Sequence, residues 1–364
     1  MTAGQKRGFP NIDRRRFLGG AAAGTALAAT AWGRSAHAAG ELNVLVWCDH
    51  ADAKLIDPFA AAHDVTVNVK TYEGTGTALS ILEQSQPGDW DVLVVDAPDV
   101  PRVAELGILA ELPEDVVPWD DMFPAMRDAP YAHVNGKLYA VPEKFGYYGF
   151  CYNKNNVDPA DAASGEIGWM DKYSGRIGVY DYYFPVIQMI GRQMGWLPTE
   201  IDGDKLAQIR ERLLAMKPNV KMVGDIVSVQ NALVTGDVDI IVGGAEFAVS
   251  NLIPDNPHLD WTISDAGGLI WNQGLCIVAS SERKDLATEF MKWTLSPTGQ
   301  GALATSDCYW AMPANSKAEV PDDAKAILRW DQQPAYLEKS VVAVFPDAEM
   351  DAEMLDLWTE FLQS

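Results

Sequence analysis

The chain of 364 residues carries 51 acidic against 28 basic side chains, a formal balance of −23, and such a surface repels nucleic acid and anionic lipid while attracting cations. An apolar content of 48 % excludes disorder. The length suits a leader followed by two domains of roughly 150 residues each.

The first 38 residues are predicted to be an address rather than part of the fold. Arg14-Arg15-Arg16-Phe17-Leu18 is a twin-arginine pattern, the small and apolar run from Gly19 to Trp32 follows, and Ala36-His37-Ala38 offers a small-x-small cleavage site. The run is too short for a membrane span, so residues 1–38 are expected to be a signal peptide that sends the protein to the periplasm by the twin-arginine route. A general-secretion signal with an extra arginine is the alternative. Without this segment 22 basic and 50 acidic side chains remain, a balance of −28. Nothing later approaches the apolar length of a membrane-spanning helix, so no direct membrane insertion is expected.

From Glu41 the pattern is α/β. Leu42 to Trp47 is an apolar run ending in Trp47-Cys48-Asp49-His50, Val65 to Tyr72 alternates as a strand, and Thr77 to Gln84 has helical spacing. Asp91 to Val95 is a continuous buried strand ending at Asp96, and Val100 to Leu106 is a short helix stopped by Gly107. Gly136 to Pro142 and Tyr147 to Tyr152 read as strands paired with each other. Tyr180-Asp181-Tyr182-Tyr183-Phe184-Pro185 joins the strand Ile177–Val179 to a helix whose first turn suits Pro185. The junction lies at the carboxyl end of a parallel strand, where open α/β sheets keep their ligand crevices. A carboxylate among aromatic rings suits a cation, and an Asp that merely caps the helix while the tyrosines pack is the plainer reading. Asp204 is expected to cap a helix bearing Leu206, Ile209, Leu213 and Leu214, and helix Ile226 to Val234, strands Asp239 to Val242 and Leu269 to Val278, and helix Lys284 to Leu295 follow. Continuous apolar strands alternating with helices imply sheets covered on both faces. No linker separates the two α/β runs, which points to lobes crossed more than once by the chain.

Catalytic signatures are missing: there is no G-x-S-x-G elbow, no H-E-x-x-H and no complete phosphate loop. Gly74-Thr75-Gly76-Thr77 opens a helix and could hold an anion at its N-terminus. His50, His63, His133 and His258 are scattered and read as surface or capping residues, so no metal, cofactor or catalytic residue is expected. Cys48, Cys151, Cys276 and Cys308 form no C-x-x-C pair, and the sequence leaves their pairing open.

Several pieces in order carry a family resemblance. They are the strand ending in Trp47 with Asp49 behind it, Tyr72-Glu73 before a helix, and Trp90-Asp91-Val92-Leu93-Val94. Val141-Pro142 leading to Gly149-Phe150-Cys151-Tyr152-Asn153, the Asp181 junction, Gly267-Gly268-Leu269-Ile270-Trp271 and the helix Phe290 to Gln300 follow. In this the chain resembles the periplasmic solute-binding proteins of ABC importers, most closely the polyamine (spermidine/putrescine) branch, from Leu42 to about Leu362. The resemblance implies the two-lobed periplasmic-binding-protein fold of type II, each lobe a mostly parallel sheet flanked by helices, with multiple hinge crossovers. Lobe 1 is expected over residues 41–145 plus 274–318, and lobe 2 over 146–273 plus 319–364.

In the polyamine branch aromatic rings sandwich the methylene chain and carboxylates hold the ammonium ends. The resemblance assigns Trp47, Trp271 and Trp310 as rings and Asp181 as an acid, with Trp310 where the family has a tyrosine. Phe184 and Gln273 stand where the family has carboxylates, Val242 stands where it has a tryptophan, and Asp96 stands where it has a small hydroxyl residue. The candidate ligand-binding set is therefore Trp47, Asp49, Asp96, Asp181, Tyr182, Phe184, Trp271, Gln273 and Trp310. The expected function is a monomeric, non-enzymatic binding protein that delivers a putrescine-like or quaternary amine to an ABC permease in the inner membrane. A zwitterionic or anionic solute, or ferric iron at Tyr182-Tyr183, are the alternatives.

Overall fold

The computed structural model describes residues 40–364, so the leader expected over residues 1–38 lies outside them. In chain order the strands are β1 (Glu41–Val46), β2 (Thr66–Thr71), β3 (Val92–Asp96), β4 (His133–Val134), β5 (Lys137–Leu138), β6 (Val141–Tyr148) and β7 (Phe150–Asn153). They continue as β8 (Ile177–Tyr180), β9 (Val220–Gly224), β10 (Ile240–Val242), β11 (Leu259–Thr262), β12 (Leu269–Ile277), β13 (Met312–Pro313) and β14 (Val341–Val342).

Two sheets form the two lobes. The first has the order β13-β6-β12-β3-β1-β2, with β14 beside the start of β12, and the second has the order β11-β7-β10-β8-β9. Strands β2, β1 and β3 are parallel, as are β9, β8 and β10; β3, β12, β6 and β13 pair antiparallel in the first sheet and β10, β7 and β11 in the second, while β14 runs parallel to β12. The buried runs of β3 and β10 are continuous because helices cover both faces of such strands. Helices Ala53–His63, Lys284–Leu295 and Pro297–Ala304 pack together in the first lobe. Helices Tyr183–Gln193, Gly203–Met216 and Ala348–Gln363 share a core with β8 in the second. Asp202, two residues before the expected Asp204, caps the helix Gly203–Met216, its carboxylate accepting the Lys205 N–H at 2.9 Å.

One pairing differs from the sequence reading. The runs Gly136 to Pro142 and Tyr147 to Tyr152 do not pair with each other: β5 pairs with β4, and of the consecutive strands β6 and β7 the first pairs with β12 and β13 and the second with β10 and β11. Only Gly149 separates them, too little chain for a hairpin turn, so the extended run passes from one sheet into the other. A side chain at Gly149 would meet the Thr262 carbonyl oxygen at 2.5 Å, so only glycine allows this passage. The return path runs from β11 to β12, and the antiparallel β6–β12 ladder is therefore the joint between the lobes.

Cys48 and Cys308, 260 residues apart, form a disulfide that ties the turn after β1 to the loop before β13. Cys151 and Cys276 are buried free thiols whose ionisation burial pushes well up, which keeps them inert. Breaking the disulfide, by Cys48→Ala with Cys308→Ala, is expected to cost about 2 to 4 kcal/mol of stability because so long a loop is closed. Thermal melts of the two forms check this, and coincident melts would contradict it.

Candidate ligand-binding site

The face of the first sheet that matters is set by register. Asp96 of β3, Gln273 of β12 and Lys144 of β6 lie side by side, with Pro313 of β13 beyond them. In-register neighbours share a face, and Trp271, two residues before Gln273, joins the same row of side chains. A bulge between Gln273 and Gly274 places Glu143 as the extra residue of β6.

That bulge builds a buried charge network. Lys144 Nζ donates to Asp49 Oδ2 at 2.9 Å, to the Leu303 carbonyl at 3.0 Å and to the Tyr309 carbonyl at 3.3 Å. His50 spans Asp49 Oδ1 at 2.9 Å and Glu143 Oε1 at 2.7 Å, and all four side chains are fully buried. Burial alone would discharge the imidazole, but the carboxylates of Asp49 and Glu143 outweigh it and raise His50 to about 10. Burial likewise opposes the Asp49 charge, and His50 and Lys144 overcome it, holding the carboxyl far below its usual range. Two positive and two negative charges thus cancel. His50 is not the surface residue expected, and Asp49 is spent inside the lobe, fully buried with each of its oxygens engaged by a cation.

A chain of rings crosses from one lobe to the other. Tyr309 meets Trp271 at 6.2 Å, Trp271 meets Phe247 at 5.8 Å, and Phe247 meets Tyr148 at 5.9 Å and Tyr180 at 6.1 Å. Tyr182 adjoins Tyr180 at 5.8 Å and Tyr148 at 6.3 Å, and Trp47 adjoins Tyr72 at 5.7 Å. Lys144 Nζ lies 4.0 Å from the centre of the Tyr309 ring and helps to fix it. Gln273 is buried, donates from Nε2 to Tyr309 Oη at 2.9 Å, and leaves Oε1 without a hydrogen-bond partner. The Trp47 indole N–H is also buried without an acceptor.

Asp96 is the acid that the structure puts beside these rings. It acts on the phenols of Tyr72 in its own lobe and of Tyr180 and Tyr182 in the other. Its carboxylate accepts only the Thr75 hydroxyl, at 3.5 Å, and no Lys or Arg reaches ion-pair distance among the described residues. Burial, and then the neighbouring Asp99, push the Asp96 carboxyl up to about 7, against a small lowering by Thr75. Because Thr75 opens the helix Thr75–Gln84, the helix start considered for an anion already faces a carboxylate.

The remaining candidates divide. Asp181 is exposed, and its Oδ1 accepts the Trp358 indole N–H at 2.7 Å, although its charge still acts on the Tyr180 phenol. Phe184 stacks on Phe345 at 4.5 Å within the core of the second lobe. Tyr183 turns away from Tyr182 and donates to Asp351 Oδ1 at 2.6 Å, so the adjacent pair does not converge on one ion. Trp310 is half-buried against the first lobe's core, and Tyr309 beside it takes the place against Trp271. Tyr72 and Tyr180 are noted in the sequence but not placed in the ligand-binding set, and Tyr148, Phe247 and Tyr309 stand outside it too. The spacing of Tyr180 and Tyr182 about Asp181 was the available signal, since residues two apart in extended chain share a side.

The profile of the bacterial extracellular solute-binding proteins matches residues 54–334. The spermidine/putrescine-binding periplasmic protein of Escherichia coli (strain K12) is 24 % identical over 278 residues, covering 75 % of this chain and 78 % of its own. The putrescine/agmatine-binding protein of Pseudomonas aeruginosa is 22 % identical over 340 residues, covering 88 % and 90 %. The structure of a spermidine/putrescine ABC transporter substrate-binding protein from Streptococcus pneumoniae superposes with a TM-score of 0.79 at 18 % identity, over 89 % of this chain and 99 % of that one. The two sheets joined by crossing strands are thus the two-lobed periplasmic-binding-protein fold, and with most of its described residues inside the matched span the chain belongs to the bacterial extracellular solute-binding proteins.

Proposed function

We propose that this substrate-binding protein of an ABC transporter captures a small organic cation between its lobes and hands it to a membrane permease. The observation that carries the reading is Asp96, a half-buried carboxyl among aromatic rings with no cationic side chain against it among the described residues. Burying an unpaired carboxylate is costly, and an ammonium or quaternary nitrogen entering between the rings supplies both the counter-charge and a partner for the ring faces. The free Oε1 of Gln273 offers a further acceptor in the same row. The relatives, named as binding proteins for spermidine and putrescine or for putrescine and agmatine, support the same chemical class.

The lobes move as the units 41–145 plus 274–318 and 146–273 plus 319–364, about the β6–β12 ladder. Trp47, Trp271, Tyr182 and Asp96 contact the ligand directly. Asp181 and Trp310 stand at the rim, and export by the twin-arginine route brings the monomer to the periplasm. With Gln273 neutral and Phe184 packed in a core, each added ammonium beyond the first finds fewer carboxylates, and a buried unpaired one costs several kcal/mol. Putrescine or a quaternary monoamine is therefore expected to outcompete spermidine. A thermal-shift screen across amines, betaines and amino acids tests the class, since a ligand of the folded state raises the melting temperature by mass action. Stabilisation by an acidic or neutral solute and by no amine would overturn the reading, and a spermidine affinity roughly tenfold above putrescine would overturn the ranking.

A further inference from the structure

A second carboxyl, this one fully buried, lies beside Trp271. Glu246 opens the short helix Glu246–Val249 after β10, is fully buried, and makes no ion pair among the described residues. Its oxygens accept the Tyr147 N–H of β6 at 3.0 and 3.2 Å. Strand β13 pairs with β6 only at Phe145 and Lys144, so Glu246 takes over the edge of β6 where β13 ends. The absence of a side chain at Gly146 makes room: a Cβ there would stand 1.5 Å from Glu246 Oε1 and 2.8 Å from Trp271 Cε2. A carboxyl from the second lobe is thereby pressed against the joint strand and against the Trp271 indole.

The groups facing both carboxyls leave their charge unanswered. Around Glu246 these are Tyr147, Tyr148 and Lys144 of β6, Cys151 of β7 and Trp271 of β12. Around Asp96 they are Thr75, Asp99 and the phenols of Tyr72, Tyr148, Tyr180 and Tyr182. Lys144, the one cation in either set, is already engaged by Asp49 and two carbonyls. Burial raises Glu246 to about 8, against lowering by backbone N–H groups and Trp271, and Asp96 stands at about 7, so at neutral pH Glu246 is mostly protonated and Asp96 shares its proton with solvent.

We propose that Glu246 is a second carboxyl answering the ligand's charge, and that capture of a cation drives the protons of Glu246 and Asp96 into solvent. The inference rests on the cation reading above. In each case the carboxyl O–H bond breaks, its electron pair stays on oxygen, and the proton passes to buffer. Positive charge entering the cleft is thus matched by positive charge leaving it. Glu246 then sets specificity through the charge state of the joint, and at lower pH its proton opposes binding.

Calorimetry of putrescine binding at pH 7 in phosphate and in Tris, which differ in heat of ionisation, reads the protons directly. The expected result is a buffer-dependent enthalpy corresponding to release of about one proton per ligand. Glu246→Gln keeps an acceptor for the Tyr147 N–H, and is expected to bind roughly three- to tenfold more weakly, release fewer protons, and show a flatter rise of affinity from pH 6 to 8. Equal enthalpies in the two buffers would overturn the inference and leave the cation reading standing. As many protons released by Glu246→Gln as by the parent would remove Glu246 from it. Failure of both putrescine and choline to bind would sink the cation reading itself, and this inference with it. Should the variant not fold, the two-buffer comparison on the parent protein still decides.

Discussion

Lys144→Met is expected to destabilise the folded protein by about 3 to 5 kcal/mol, because it strips a buried ion pair of one partner and leaves the other charge in place. Methionine fills similar volume, so the loss is electrostatic. Asp49 keeps only His50, and the carbonyl of Leu303 loses its donor. A fall in the denaturation midpoint at unchanged slope measures the effect, and a loss below about 1 kcal/mol would mean that water reaches the network. The same network fixes the sign of an alkaline transition. His50 is raised from 6.5 in the unfolded chain to about 10, so its stabilisation is fully present below 6.5 and is lost as pH rises through 10. Glu143→Gln should remove part of that alkaline loss.

Asp96→Asn is expected to weaken amine binding by roughly ten- to a hundredfold, the 1.5 to 3 kcal/mol of a charged hydrogen bond in a closed site. Its effect on the free protein has the opposite sign. The Asp96 carboxyl ionises at 3.8 when unfolded and at about 7 when folded, so the folded state holds the extra proton between those values and loses stability as pH rises across that window. At pH 8 the ligand-free Asn variant should therefore melt no lower than the parent, and its ligand-induced shift should shrink. A residue that merely supported the fold would lower both. Unchanged affinity would remove Asp96 from the site.

Much of the fold is legible because both lobes use strands buried on two faces, which mark themselves as continuous apolar runs: β3 and β10 fall within two residues of the sequence reading. The joint is where the reading fails. Local pattern cannot say which strand β6 will pair with, and the run Tyr147 to Tyr152, read as one strand paired with Gly136 to Pro142, instead passes from one sheet into the other at Gly149. Site residues separate along the same line. Asp96 is picked out because it ends a buried apolar strand, and Trp271, inside β12, only because of the family resemblance. Asp49 shows the limit, since the sequence places it at a strand end but not the Lys144 and His50 that consume it across separations of 95 and 1 residues. Tyr309 and Trp310 are adjacent, and only the fold decides which of the two rings meets Trp271.

The central claim is that a cationic nitrogen sits against Asp96 among the rings. A crystal structure of the protein with a bound amine from the thermal-shift screen tests it most directly. The account predicts a nitrogen within hydrogen-bond distance of the Asp96 carboxylate, bordered by Trp47, Trp271 and Tyr182. An amine held elsewhere, with Asp96 still bonded to Thr75 alone, would contradict it.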